Sequence, residues 1–208
     1  MRLSLDQPGL QAAWPTLSAG DCLTLFTASG DAKHSQESLL LRWRWSHEGG
    51  FDPQVRRLIR GFEIEEAFET CIDIAEELLG QSPRGLSLDP REARFLEEHG
   101  YVISGGSLGL ALLLGLLCYV KRVNWPSRCI AWGGLRPVRN NSFAVVTVAE
   151  FEDKMRQASV LKPRLIVHPM SESFWTPDGC RSVGISAPIE VAFVELAGLI
   201  DEGGQRVY

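Results

Sequence analysis

The uncharged run at residues 108–120 is the feature that most restricts how this chain can fold. It consists of 13 residues, mostly leucine, alanine and glycine, and it follows the small-residue segment Ser104-Gly105-Gly106-Ser107. A membrane-spanning helix needs about 20 continuously apolar residues, so this run predicts a buried core helix instead. The glycines and serines before it predict a tight backbone turn that leads into the first turn of that helix.

Ser107 stands where this predicted turn meets the predicted helix. The first N–H groups of a helix have no partner within the helix, and with the helix dipole they can stabilise an oxyanion. The turn can therefore present Ser107 as a nucleophile, with the backbone N–H groups of Gly106 and Leu108 as oxyanion-hole candidates. The alternative is that Ser107 only caps the helix. The segment does not match the glycine patterns of phosphate-binding loops.

Composition excludes several classes of partner and cofactor. The net charge of the 208 residues is −5, and no Lys/Arg block occurs, which argues against a nucleic acid or an anionic membrane as partner. The first residues form no apolar signal segment, so a cytoplasmic location is expected. The five cysteines do not have zinc-site spacing, so we expect reduced, mostly buried thiols, no metal and no cofactor.

Periodicity predicts an α+β fold with strands in mixed directions. Residues 23–27 and 38–46 alternate as two neighbouring antiparallel strands do. The acidic face of the helix predicted after Asp52-Pro53 is interpreted as solvated surface, the alternative being a metal or general-acid site. The remaining predictions are helices at 53–79 with a break at Gly61, 90–99, 148–158 and 189–200, and strands at 2–5, 84–88, 128–132, 143–146, 165–169 and 182–187.

Lys154 belongs to the helix that the capping box Thr147-x-x-Glu150 predicts. It lies at the border of the apolar stripe, three residues after Phe151, so its amine is either partly desolvated or reaches out to water along the surface. His168 ends a predicted buried strand before a proline, where it is either a general base or a packed core residue.

Two of these segments together resemble the Lon-type proteolytic domain. Ser104-Gly105-Gly106-Ser107-Leu108-Gly109 is similar to the family's D-G-P-S-A-G turn, which carries the nucleophile. Lys154-Met155-Arg156-Gln157-Ala158 is similar to its K-L-x-x-A helix, which leads to a strand ending in proline, here residues 165–169. The resemblance is clearest at about residues 20–200. It implies a single Lon-like α+β domain over residues 1–208, with mixed sheets and packed helices.

The resemblance also implies an activity. Ser107 would be the nucleophile and Lys154 the base of a serine endopeptidase acting on flexible or partner-delivered proteins, and the domain would self-associate. The family's ATPase motif is absent, so a separate unfoldase chain is an expected partner. A free lysine titrates near ~10.4 and a useful base at roughly 7–8, so Glu150, Glu152 and Asp153 should point away from the amine.

Three departures from the family pattern leave an alternative open. Ser104 replaces an acidic residue, Trp132-Gly133 replaces a Thr-Gly pair, and Ala149-Glu150 replaces a glycine pair. A catalytically weak or inactive scaffold is therefore the alternative function. A small-molecule kinase of similar overall fold is a further alternative, but it does not explain Lys154 and it needs a second phosphate-binding loop.

Overall fold

The computed structural model describes residues 2–3, 14, 17–28, 37–80, 83–138, 142–148, 151–170 and 176–203. In these ranges helices and strands are mixed along the chain. They are β1 (Arg2–Leu3), β2 (Asp21–Ala28), β3 (Glu37–Ser46), β4 (Gly50–Phe51), α1 (Pro53–Leu58), β5 (Ile59–Arg60), α2 (Glu63–Leu79), β6 (Gly85–Leu88), α3 (Pro90–Glu98), β7 (Ile103–Ser104), α4 (Gly109–Lys121), β8 (Cys129–Ala131), β9 (Gly134–Pro137), β10 (Phe143–Val146), α5 (Phe151–Leu161), β11 (Leu165–Pro169), β12 (Arg181–Ile185) and α6 (Ile189–Gly203).

Among the described residues, the strands form one larger mixed sheet and three smaller units, which confirms the α+β prediction. In the larger sheet the order is β1-β3-β6-β4, and β2 pairs antiparallel with β3, as the alternation predicted. Strands β8, β11 and β12 form a parallel sheet in the order β12-β11-β8. Strands β9 and β10 make an antiparallel hairpin, and β5 and β7 form a short parallel pair.

Helix α4 occupies the middle of the hydrophobic core, as its composition predicted. Every residue from 109 to 118 is buried. A Cβ added at Gly115 would lie 2.7 Å from the Cβ of Cys22, so only glycine lets this helix pack so closely on β2. Four of the cysteines are buried free thiols and Cys180 is partly exposed. In the described part of the chain, no helix is long and apolar enough to cross a membrane.

The long helix predicted at 53–79 is interrupted by a strand, which is more than the break predicted at Gly61. Ile59 and Arg60 pair in parallel with Ile103 and Ser104, so the first helix ends at Leu58. Gly61 follows with φ +86°, a left-handed conformation that ends regular structure and that glycine adopts at little cost. The chain therefore turns directly beside the strand that precedes Ser107.

Several further boundaries differ from the prediction; β12, for example, ends at Ile185 and not at residue 187, and α5 continues to Leu161. Residues 134–137 were not among the predicted strands, but they make β9, because β10 supplies an antiparallel partner. Helix α5 begins at Phe151, so Thr147 and Val148 lie outside it and the interpretation of Thr147 as its N-cap is wrong. Residues 149–150 lie outside the described part of the chain.

Candidate functional site

Ser107 lies in a tight turn between β7 and α4. Gly105 has φ +87°, which turns the chain after the strand, and α4 begins at Gly109 with Leu108 as its N-cap residue. Leu108 has no side-chain capping bond, and Ser107 precedes the N-cap position, so the alternative that Ser107 caps this helix is wrong. The Ser107 side chain is 5% exposed. A hydroxyl is therefore held at the start of a buried helix without serving as its cap.

The two oxyanion-hole candidates flank Ser107 along this turn. Gly106 O accepts a hydrogen bond from Gly109 N at 3.4 Å, and Leu108 O accepts one from Leu112 N at 2.9 Å. The first bond fixes the peptide between Gly106 and Ser107, and the second belongs to the first turn of α4. The N–H of Leu108 belongs to the first turn, where helical N–H groups have no partner within the helix. The role of the Gly106 and Leu108 N–H groups as oxyanion donors stays a prediction.

Gly133 fastens the Ser107 turn to the end of β8. Its N–H donates to Ser107 O at 2.9 Å, and its carbonyl accepts from Leu110 N at 2.9 Å. A Cβ added at Gly133 would lie 2.8 Å from Cγ of Pro169 and 3.1 Å from Cβ of Leu110. The glycine thus allows the turn, α4 and the end of β11 to meet at one point.

Lys154 lies in the first turn of α5 and is 4% exposed. The alternative that it reaches along the surface to water is therefore wrong, and the prediction of a desolvated lysine is confirmed. Glu152 is exposed, whereas Glu150 and the side chain of Asp153 lie outside the described part of the structure. Gln157 follows one turn later and is also buried. The inner face of α5 thus carries two polar side chains into the core.

Phe151 connects the Lys154 turn to the strands that hold Ser107. Its ring packs edge-on against Trp132, with centroids 6.2 Å apart, and against His168 at 5.3 Å. Residues three apart on a helix share a face, so Lys154 lies on the side of α5 that carries Phe151. The turns of Ser107 and Lys154 therefore both pack on the segment 132–133. A hydrogen bond between the two side chains stays a prediction.

Glu63 is an acidic residue near the turn that the sequence did not single out. It begins α2, directly after the β5–β7 pair, and a Cβ added at Gly106 would lie 3.7 Å from Glu63 Cβ. Its Oε2 is buried and has no hydrogen-bond partner among the described residues. No local pattern distinguishes Glu63 from the other glutamates of α2, because only the strand pairing brings it to the turn.

His168 makes two hydrogen bonds at the end of β11. Its Nδ1 lies 2.7 Å from Pro169 O, and its Nε2 lies 2.9 Å from Ser182 Oγ. The side chain is fully buried, and this burial lowers the pKa of the imidazole below its usual 6.5. The sequence named His168 but missed Ser182, which becomes its neighbour only through the pairing of β11 with β12.

Within the described ranges, no group of three or more His, Cys, Asp or Glu residues could hold a metal ion. The acidic residues of α2 after Glu65 are exposed, in agreement with their interpretation as solvated surface.

The chain matches no protein-family model and no curated protein. The site is therefore defined by the Ser107 turn, the Lys154 turn and the strand ends between them.

Proposed function

We propose that this chain is a serine endopeptidase in which Ser107 is the nucleophile and Lys154 is the general base. The observation that carries the proposal is that both polar side chains are buried in turns packed on the same segment, 132–133. Burial disfavours the ammonium form of a lysine, and a neutral amine is what a base needs. The order and spacing of the two Lon-like motifs also support this proposal.

In the proposed reaction, Ser107 Oγ attacks the carbonyl carbon of a peptide bond while Lys154 Nζ accepts its proton. The N–H groups of Gly106 and Leu108 stabilise the oxyanion of the tetrahedral intermediate. The ammonium of Lys154 then protonates the leaving amine, and an acyl group remains on Ser107. Water, deprotonated by the same lysine, hydrolyses this ester and regenerates the serine.

The proposed substrates are flexible or already unfolded protein segments. The 208 residues contain no G-x-x-x-x-G-K-[ST] motif, and a partner chain that delivers unfolded substrates is proposed from the family resemblance alone. The exposed ring of Phe62 lies in the segment that follows β5, beside the Ser107 turn, where it can contact an apolar substrate residue. Self-association of the domain is proposed from the family resemblance alone.

One observation favours the alternative function, an inactive scaffold. Trp132, which replaces a threonine of the family pattern, is fully buried beside Phe151. Its Nε1 has no hydrogen-bond partner among the described residues. An indole here fills space that a small hydroxyl side chain would leave to the dyad, and it offers no acceptor for an amine.

The test compares four variants with the wild-type protein: Ser107→Ala, Lys154→Met, Lys154→Arg and the control Lys162→Arg. Lys162 is exposed and follows the end of α5, so the control changes a lysine without changing the site. Two signals are measured, the cleavage of an unfolded fluorogenic protein and the labelling of the Ser107 peptide by a fluorophosphonate. We expect the three site variants to lose at least about 100-fold in rate.

Activity of the wild type should rise with pH through one ionisation that lies below the ~10.4 of a free lysine. Lys154→Arg should stay inactive at every pH, since a guanidinium does not give up its proton. Full activity in Ser107→Ala or Lys154→Met would assign the chemistry to another group. A wild-type protein that neither cleaves nor becomes labelled at Ser107 would be the scaffold.

A further inference from the structure

His168 and Ser182 form a hydrogen-bonded pair on the parallel sheet, and neither residue belongs to the proposed dyad. In the strand register His168 is opposite Gly184, and Ser182 is two residues before it on the same face of β12. Gly184 has no side chain, so the imidazole reaches across it to Ser182 Oγ at 2.9 Å. His168 is fully buried whereas Ser182 is partly exposed, so the pair is open to solution on the Ser182 side.

The second hydrogen bond of His168 determines where its proton lies. A carbonyl oxygen can only accept, so Nδ1–H donates to Pro169 O at 2.7 Å and the proton of the neutral ring is on Nδ1. The lone pair of Nε2 therefore faces Ser182, whose hydroxyl donates to it. Burial lowers the pKa of His168, which keeps the ring neutral at pH 7. A general base beside a serine nucleophile requires this tautomer.

The backbone of Ser182 supplies an oxyanion donor. Strand β12 is at the edge of the β12-β11-β8 sheet, and Arg181 N–H donates inward to Arg164 O at 2.9 Å. Successive N–H groups of a strand point to opposite sides, so the N–H of Ser182 points to the outer edge. A carbonyl compound that approaches this edge meets the hydroxyl and this N–H on one residue.

We propose that Ser182 and His168 are a second nucleophile and base pair, which accepts acyl esters at the outer edge of the parallel sheet. Ser182 Oγ attacks the ester carbonyl and its proton passes to His168 Nε2. The carbon–oxygen bond to the alcohol then breaks, and the alcohol leaves with that proton. Water attacks the acyl-serine, His168 takes its proton and returns it to Ser182 Oγ, and the free acid is released. The step uses neither Ser107 nor Lys154.

The experiment maps fluorophosphonate labelling of the full chain by tandem mass spectrometry. Trypsin places Ser107 and Ser182 on different peptides, because Lys121 and Arg181 lie between them. Labelling at Ser182 and hydrolysis of a p-nitrophenyl ester are measured in wild type, Ser182→Ala, His168→Gln and Ser107→Ala. The control is Ser186→Ala, whose hydroxyl donates to the carboxylate of Glu195 at 2.8 Å instead of to an imidazole.

We expect label on Ser182 in the wild type, in Ser107→Ala and in Ser186→Ala. Labelling of this peptide should be absent in Ser182→Ala and about 100-fold slower in His168→Gln, which lacks the base. A folded wild-type protein without label on Ser182 overturns the proposal without any variant, so a misfolded His168→Gln would not leave it untested. An unchanged labelling rate in folded His168→Gln would also overturn it. If the wild-type protein carries label on Ser182 but none on Ser107, the proposed Ser107–Lys154 dyad is refuted and the Ser182–His168 pair is supported.

Discussion

The replacement Gly133→Ala tests whether the end of β8 holds the Ser107 turn in place. The added Cβ would lie 2.8 and 3.0 Å from Cγ and Cδ of Pro169 and 3.1 Å from Cβ of Leu110. Carbon atoms in contact are normally about 3.5–4.0 Å apart, so these neighbours would have to move by several tenths of an ångström. Pro169 has a rigid ring and belongs to strand β11, and Leu110 belongs to the first turn of α4. Neither residue can move away without a cost in free energy.

The expected cost follows from this crowding. Overpacking a core costs typically about 1–3 kcal/mol. Gly133 also has φ +156°, a conformation in which alanine is strained, so the smaller freedom of the unfolded alanine chain brings no compensating gain. The loss in the free energy of unfolding should therefore be at least about 1–3 kcal/mol. Gly133 also bonds to Ser107 O and Leu110 N, so the turn would be displaced together with α4. A displacement approaching 1 Å can lower the catalytic rate by about 100-fold.

The assay is urea unfolding followed by tryptophan fluorescence, together with the rate of fluorophosphonate labelling at Ser107. Gly198→Ala is the matched control, since it is a glycine in α6 whose added Cβ meets nothing within 4 Å. This control should stabilise the protein by up to about 1 kcal/mol, because alanine favours a helix. If Gly133→Ala unfolds at the urea concentration of the wild type and labels Ser107 equally fast, the argument that Gly133 holds the turn is refuted.

Two further predictions concern pH and association. Burial lowers the pKa of His168, so as the pH falls its imidazole is protonated in the unfolded chain before it is protonated in the folded chain. The free energy of unfolding should therefore fall as the pH drops below 6.5. Melting temperatures of wild type and His168→Gln between about pH 7.5 and 5 should show a flatter profile in the variant, and equal slopes would contradict this. The proposed self-association should appear in light scattering as a mass above 23.1 kDa that rises with concentration, whereas a constant monomer mass with intact activity would contradict it.

The sequence by itself determined the elements that have a strong local pattern. The apolar run of α4, the alternation of β2 and β3, and the end of α2 at Leu79 were all predicted and are present, and Gly80 follows in a left-handed conformation. These features depend on side chains a few residues apart, so periodicity and glycine positions are sufficient to predict them. Helix α2 shows the limit, because Ile74 is buried whereas Leu78, one turn later on the same side of the helix, is exposed.

The tertiary structure decided those strands and side-chain contacts that depend on a residue distant in the sequence. Ile59 and Arg60 are a strand because residues 103–104 lie beside them, and β9 is a strand because β10 pairs with it. The burial of Lys154 could not be decided from its position at the border of a stripe, since it depends on which surfaces pack on α5. The His168–Ser182 pair was equally hidden, because a residue offset of 14 has no periodic signature and only the parallel register of β11 and β12 brings the two side chains together.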